Sequence, residues 1–283
     1  MKLYFFLSFM LLFFFSLVMV GFSEINKDSK GSIPEEASLN AAIHYHYEDS
    51  FTQDEKDQIV AWLDKTSAAT QDLVGSFPFD LNFYLHRSDH SSEPVPWANT
   101  QRNADQGVHF HIDCTYPLSA FLKDWTAPHE ISHLAIPFVG KSNSWFAEGF
   151  ATYMQNVILL EMGECTQADI DAKYKTKFDA ARPYYQADEP FAEVAMSLRK
   201  RHRYPEMYWG GALYFVQLNE ILESAYNTSL SEILTQYQAC CRSTDSSLND
   251  VLSSWDSLVE GQPASQLMKK YTSLPAREIV FPQ

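Results

Sequence analysis

Two short stretches carry the residues with chemical potential: His129-Glu130-Ile131-Ser132-His133 and Trp145-Phe146-Ala147-Glu148-Gly149-Phe150-Ala151-Thr152-Tyr153. If the first is helical, His129 and His133 stand four residues apart on one face, close enough to share a metal ion. Glu130 then projects beside that face and can take a proton from metal-bound water and return it to a leaving amine. Fourteen residues separate His133 from Glu148, which sits in an apolar run. A carboxylate in such surroundings needs a partner, and a metal ion is a good one. Two imidazoles and one carboxylate leave an open coordination position, as a catalytic zinc site requires. The expected cofactor is one Zn2+ per chain, held by His129, His133 and Glu148.

These stretches resemble the gluzincin metallopeptidases, the clan of thermolysin, the M1 aminopeptidases and the M61 family. The likeness is strongest to the M1/M61-like catalytic domain and covers roughly residues 105–225. It implies a zinc metallopeptidase with Glu130 as general base and a thermolysin-like core. It also implies a role for Tyr208, in Tyr208-Trp209-Gly210-Gly211-Ala212, sixty residues past Glu148; its hydroxyl would donate to the oxyanion. The chain departs from the family in two ways. Its spacing between the second His and the zinc Glu is shorter, and it lacks the Gly-x-Met-Glu-Asn stretch that grips a free amino terminus. Endo- and exopeptidase action therefore stay open. So do two other readings: a zinc hydrolase of a non-peptide amide or ester, and a non-catalytic peptidase-like binding or structural protein.

The elements that must position these residues follow from periodicity and capping. Thr52 with Glu55 forms a capping box that opens a helix continuing to about Val74. Strands are predicted at 79–85 and 107–114, with a polar loop containing Pro94 and Pro96 between them. A short helix is predicted at 119–125. The metal helix is expected from Thr126, as its cap, to Ile136, with Pro128 in the first turn and Pro137 ending it. Asn143 or Ser144 caps the next helix, which reaches about Met162. Gly149 is expected to let these two helices approach closely. Further helices are predicted near 167–180, 190–201, 206–225, 228–241, 246–258 and 263–271. The fold class is α+β: a small N-terminal α/β lobe with a mixed sheet (24–142, including the metal helix) and a mainly helical C-terminal lobe (143–283).

Residues 1–23 read as a secretory signal peptide. Lys2 is followed by an apolar run from Leu3 to about Phe22, with small residues at Gly21 and Ser23. The run is long enough for an uncleaved signal anchor as the alternative. The chain is thus expected to be exported, to the periplasm or outside the cell, without stable membrane insertion after cleavage. Acidic residues outnumber basic ones 36 to 21, for a net charge of −15, which argues against nucleic acid as a partner and leaves a peptide or protein substrate. Export permits disulfides among Cys114, Cys165, Cys240 and Cys241. The adjacent Cys240 and Cys241 are expected to reach two different partners, Cys114 and Cys165, because neighbouring Cα atoms are too close for ordinary disulfide geometry.

Further residues could serve the cleft or the fold. The strand at 107–114 could bind extended peptide through its backbone. His109 and His111 share one face by period two and could line the cleft, although a packed or surface role is commoner. The run Arg199-Lys200-Arg201-His202-Arg203 could rim the cleft and meet a substrate carboxylate, or simply end a helix in solvent. Asp113, Glu193 and Glu206 are loose candidates to orient a ligating imidazole. His44 and His46, with no Cys or acid nearby at ligand spacing, read as structural or surface residues. Asn227-Thr228-Ser229 is a glycosylation sequon.

Overall fold

A computed structural model describes residues 41–102 and 105–282; the expected leader lies outside them. The chain runs β1 (Ile43–Tyr47), α1 (Gln53–Val74), β2 (Leu81–Arg87), β3 (Trp97–Arg102), β4 (Gln106–Ile112), α2 (Leu118–Lys123) and α3 (Thr126–Ser132). It continues with α4 (Ser144–Glu161), α5 (Gln167–Ala181), α6 (Phe191–Lys200), α7 (Tyr204–Ile221), α8 (Leu230–Cys240), α9 (Leu248–Ser257) and α10 (Pro263–Ser273). The result is a small mixed sheet followed by helices.

The sheet order is β1-β2-β4-β3, with β1-β2 and β2-β4 parallel and β3-β4 antiparallel. Alternation sets its two faces. Leu81, Phe83 and Leu85 of β2 and Val108, Phe110 and Ile112 of β4 are fully buried, while their neighbours turn outward. Trp62 of α1 packs on Phe110 and Phe121, at ring separations of 5.3 and 5.0 Å. Thr52 and Glu55 make the expected capping box.

The segment expected to be a polar loop contains β3. Its sequence, WANTQR, has no apolar alternation because it is the sheet's edge and buries no large side chain. This also corrects the reading of the strand at 107–114. β4 is paired on both sides, so its backbone cannot receive a peptide; the edge belongs to β3.

The metal helix begins differently from expectation. Thr126 is its first residue and not its cap; the N-cap position is Trp125, which makes no side-chain cap bond, and Asp124 accepts from the Thr126 N–H at 2.8 Å. Pro128 lies in the first turn, as expected. The helix tightens to a 3-10 turn at His133–Ala135 and leaves helical geometry at Ile136, whose extended backbone is what a following proline demands.

The cysteine pairing is also corrected. Cys240 and Cys241 bond to each other, and Cys114 and Cys165 are free. The backbone leaves the helix at Cys241 (φ −139°, ψ −7°), which lets adjacent side chains converge. Cys114 instead follows β4 near Glu55 and Arg87, and Cys165 follows α4 near Lys173.

Gly149 does permit a close helix approach, but between α4 and α7 rather than with the metal helix. A Cβ at Gly149 would lie 2.3 Å from the Gly211 carbonyl carbon, and one at Gly211 would lie 2.2 Å from the Trp145 oxygen. The two backbones touch where α4 carries Glu148 and α7 carries Tyr208.

Candidate metal centre

α3 and α4 bring His129, His133 and Glu148 together. Glu148 Oε2 lies 3.3 Å from His129 Nε2 and 3.6 Å from His133 Nε2. The three ligand atoms fall within 4.8 Å of one another, a grouping able to hold a metal ion. Both imidazoles are buried and Glu148 is half-buried. Burial opposes charge on Glu148, yet His133 and His129 outweigh it and hold the carboxyl well below its usual range. Burial likewise opposes charge on both imidazoles. The Glu148 and Glu130 carboxylates overcome it at His129, whose pKa rises; at His133 Glu148 does not, with His129 and Arg102 adding to the burial, and the pKa falls. The donor set, two neutralisable imidazoles and an anionic carboxylate converging below the protein surface, fits a divalent transition metal.

The residues around this triad were not all legible in the sequence. His129 Nδ1 is 2.9 Å from Gln155 Oε1, so it donates there and turns Nε2 toward Glu148, where a metal would be shared. Gln155 lies seven residues past Glu148, two turns along the same face of α4, a spacing that could have revealed it. Asp113, Glu193 and Glu206 do not take this role. Asp113 accepts from Ser91 and Thr115 in a loop. Glu193 lies away from the triad's cleft, and Glu206 faces Arg203 at 3.9 Å.

Glu130 is held by β3. The Thr100 hydroxyl is shared between Glu130 Oε2, at 2.7 Å, and the Glu130 backbone carbonyl, at 2.9 Å. Arg102, two residues along the same strand face, donates to the His133 carbonyl at 2.8 Å. Two further donors reach the end of the same segment. Gln238 Nε2 bonds the Ala135 carbonyl at 2.8 Å, and Arg242 Nη2 bonds the Leu134 carbonyl at 3.0 Å. These groups satisfy carbonyls that a helix end leaves without partners, and the two cations suit its negative pole. Burial, with Arg242 as a like-charged neighbour, pushes the Arg102 pKa down to about 10. Nothing in the local sequence announces these contacts, which join segments far apart in the chain.

Tyr208 enters the same cleft from α7, its ring 6.0 Å from that of His129. Burial, reinforced by Glu148 and Glu130, raises its pKa, so the phenol keeps its proton as a donor. The cleft has a volume of about 570 Å3, and Trp97, Trp125 and Phe138 stand exposed along it. Arg199 of the basic run lines it too, whereas Arg203 pairs with Glu206. His109 and His111 do not line it. They lie on the outer sheet face, where His109 bonds Gln101 at 3.0 Å and His86 at 3.1 Å. His44 and His46 share that face, bonded to Asp80 and Asn82.

Fold and site together define a mixed α/β protein with a two-histidine, one-carboxylate group suited to a metal. No protein-family model matches the chain, and no curated protein does. Among solved structures, it is similar to an M1 zinc metallopeptidase from Deinococcus radiodurans, at 16% identity and a TM-score of 0.48, covering 84% of this chain and 48% of that one. It is similar also to a mutant two-domain M1 zinc metallopeptidase bound to L-tryptophan, at 15% identity and a TM-score of 0.48, covering 83% and 46%. The chain thus spans about half the length of these proteins.

Proposed function

We propose that this chain is a zinc-dependent metallopeptidase of gluzincin type. His129, His133 and Glu148 bind the metal, and Glu130 and Tyr208 act on the substrate. The observation that carries the reading is a convergence of five side chains. An anionic Glu148 faces two buried imidazoles, while Glu130, fixed by Thr100, and a protonated Tyr208 line the same cleft.

Zinc would supply Lewis-acid polarisation of the scissile carbonyl and an acidified water. The remaining chemistry belongs to the side chains. Glu130 accepts the proton of the attacking water and hands it to the departing amine. Thr100 keeps its carboxylate aimed. Tyr208 donates its O–H to the developing oxyanion. The free edge of β3 bounds the cleft with Trp97, Ala98 and Asn99. An extended substrate would add there as a further strand. In the same reading, residues 1–23 are removed on export and the enzyme meets its peptide or protein substrate outside the cytoplasm.

The test is metal content together with turnover. About one zinc per wild-type chain is expected, with the metal lost in Glu148→Ala. Glu130→Gln should keep the metal and lose peptide hydrolysis. A folded, metallated Glu130→Gln protein that cleaves peptides at the wild-type rate would refute the assignment.

A further inference from the structure

Beyond Tyr208 lies a second pocket, of about 340 Å3, that shares Trp125 and Tyr208 with the metal cleft and also touches Gln155. Its other side is cationic. Lys173 and Lys177 stand four residues apart on α5, each with its Nζ 5.9 Å from the Trp209 ring centroid. Like charges at that spacing repel on a helix. Among the described residues, neither lysine forms an ion pair with a carboxylate. This is unexpected in a chain of net charge −15, where Lys65 pairs with Glu164 and, on α5 itself, Lys175 pairs with Asp179. Lys173 is half-buried and Lys177 exposed, so the pair sits at an opening and not in a sealed core. Burial weakens protonation of Lys173, and the Lys177 charge adds to that while the nearby Cys165 opposes it. An anion seated between the two ammonium groups would relieve both penalties.

We propose that this pocket is a carboxylate subsite, in which Lys173 and Lys177 select peptides carrying a carboxylate beside an apolar residue that packs on Trp209 and Tyr204. The proposal rests on the peptidase reading for its biological use, but its binding chemistry can be tested without turnover. Either an acidic side chain or the free C-terminus can supply the carboxylate. Trp125 and Tyr208 form the wall common to this pocket and the cleft, so a substrate spanning both would lie across them.

The test uses four peptides of one apolar sequence, with Glu or Gln at one position and a free or amidated C-terminus. Binding is measured by calorimetry on the full-length Glu130→Gln chain, alone and combined with Lys173→Met or Lys177→Met. A carboxylate at one of the two positions should tighten binding tenfold or more. Either lysine substitution should remove that gain and leave the doubly neutral peptide unchanged. The gain should also shrink with added salt. The Glu/Gln and free/amidated comparisons identify which carboxylate is read. If all four peptides bind alike or not at all, or if the preference survives both lysine substitutions, the subsite does not exist. Carboxylate-dependent binding by a wild-type chain that cleaves nothing would keep the subsite and remove the enzyme. In an active wild type, Lys177→Met should raise KM for the acidic peptide without changing kcat.

Discussion

Replacing Gly149 by alanine should push apart α4 and α7, the helices that carry Glu148 and Tyr208. The added Cβ would lie 2.3 Å from the Gly211 carbonyl carbon and 2.6 Å from both its Cα and its oxygen, where ordinary contact begins at 3.4 Å. No side chain can rotate away, because every one of these atoms is backbone. α4 and α7 must therefore separate locally by about 1 Å. Overpacking of this kind costs about 3 kcal/mol at the upper end of its usual range. Alanine returns about 1 kcal/mol through its better helix propensity. The net loss of about 2 kcal/mol corresponds to a fall in Tm of about 4–8 °C in a chain of this size. Function should suffer more than stability. Glu148 is the adjacent residue, and a ~1 Å misplacement of a reacting constellation can cost ~100-fold in rate. Thermal melts of the metal-free protein, zinc affinity and peptide turnover together read both effects. A Gly149→Ala protein that melts within about 1 °C of wild type and keeps its metal and turnover would refute the argument that the glycine contact sets the site's geometry.

Three other perturbations test separate parts of the centre. Thr100→Val removes the hydroxyl that aims Glu130; turnover should fall roughly 10- to 100-fold, the worth of a hydrogen bond to a charged group, with zinc content unchanged. Gln155→Leu removes the acceptor that fixes the His129 tautomer; zinc affinity, measured by competition with a chelator, should weaken roughly 10- to 100-fold, and an unchanged affinity would deny Gln155 that role. Because Glu148 and Glu130 raise the pKa of His129 in the metal-free chain, zinc uptake near neutral pH should expel a proton. Calorimetry in buffers of different ionisation heat should show that release diminishing as pH rises above the His129 pKa, and uptake with no buffer dependence at any pH would contradict the raised value.

Local sequence was sufficient wherever one helix decides the geometry. The four-residue spacing of His129 and His133 puts both imidazoles on one face, the box of Thr52 and Glu55 starts α1, and the apolar alternation of β2 and β4 marks the strands that face the core. The apolar surroundings of Glu148 marked it as a ligand, the family resemblance pointed to Tyr208, and the fold brings both to the cleft. Contacts between distant segments were not legible. Thr100 and Arg102 lie on an edge strand whose polar sequence carries no buried stripe, so neither periodicity nor propensity marks it. Gln238 and Arg242 reach the end of the metal helix from more than a hundred residues away. The pairing of Cys240 with Cys241 depends on a departure from helical backbone at α8's end, and the glycine contact between α4 and α7 depends on how two helices cross. Spacing along one helix fixes which side chains share its face, because 3.6 residues make a turn whatever surrounds it. Which partner meets that face is decided only when distant elements pack, since that choice minimises buried unpaired groups and overlap across the whole core.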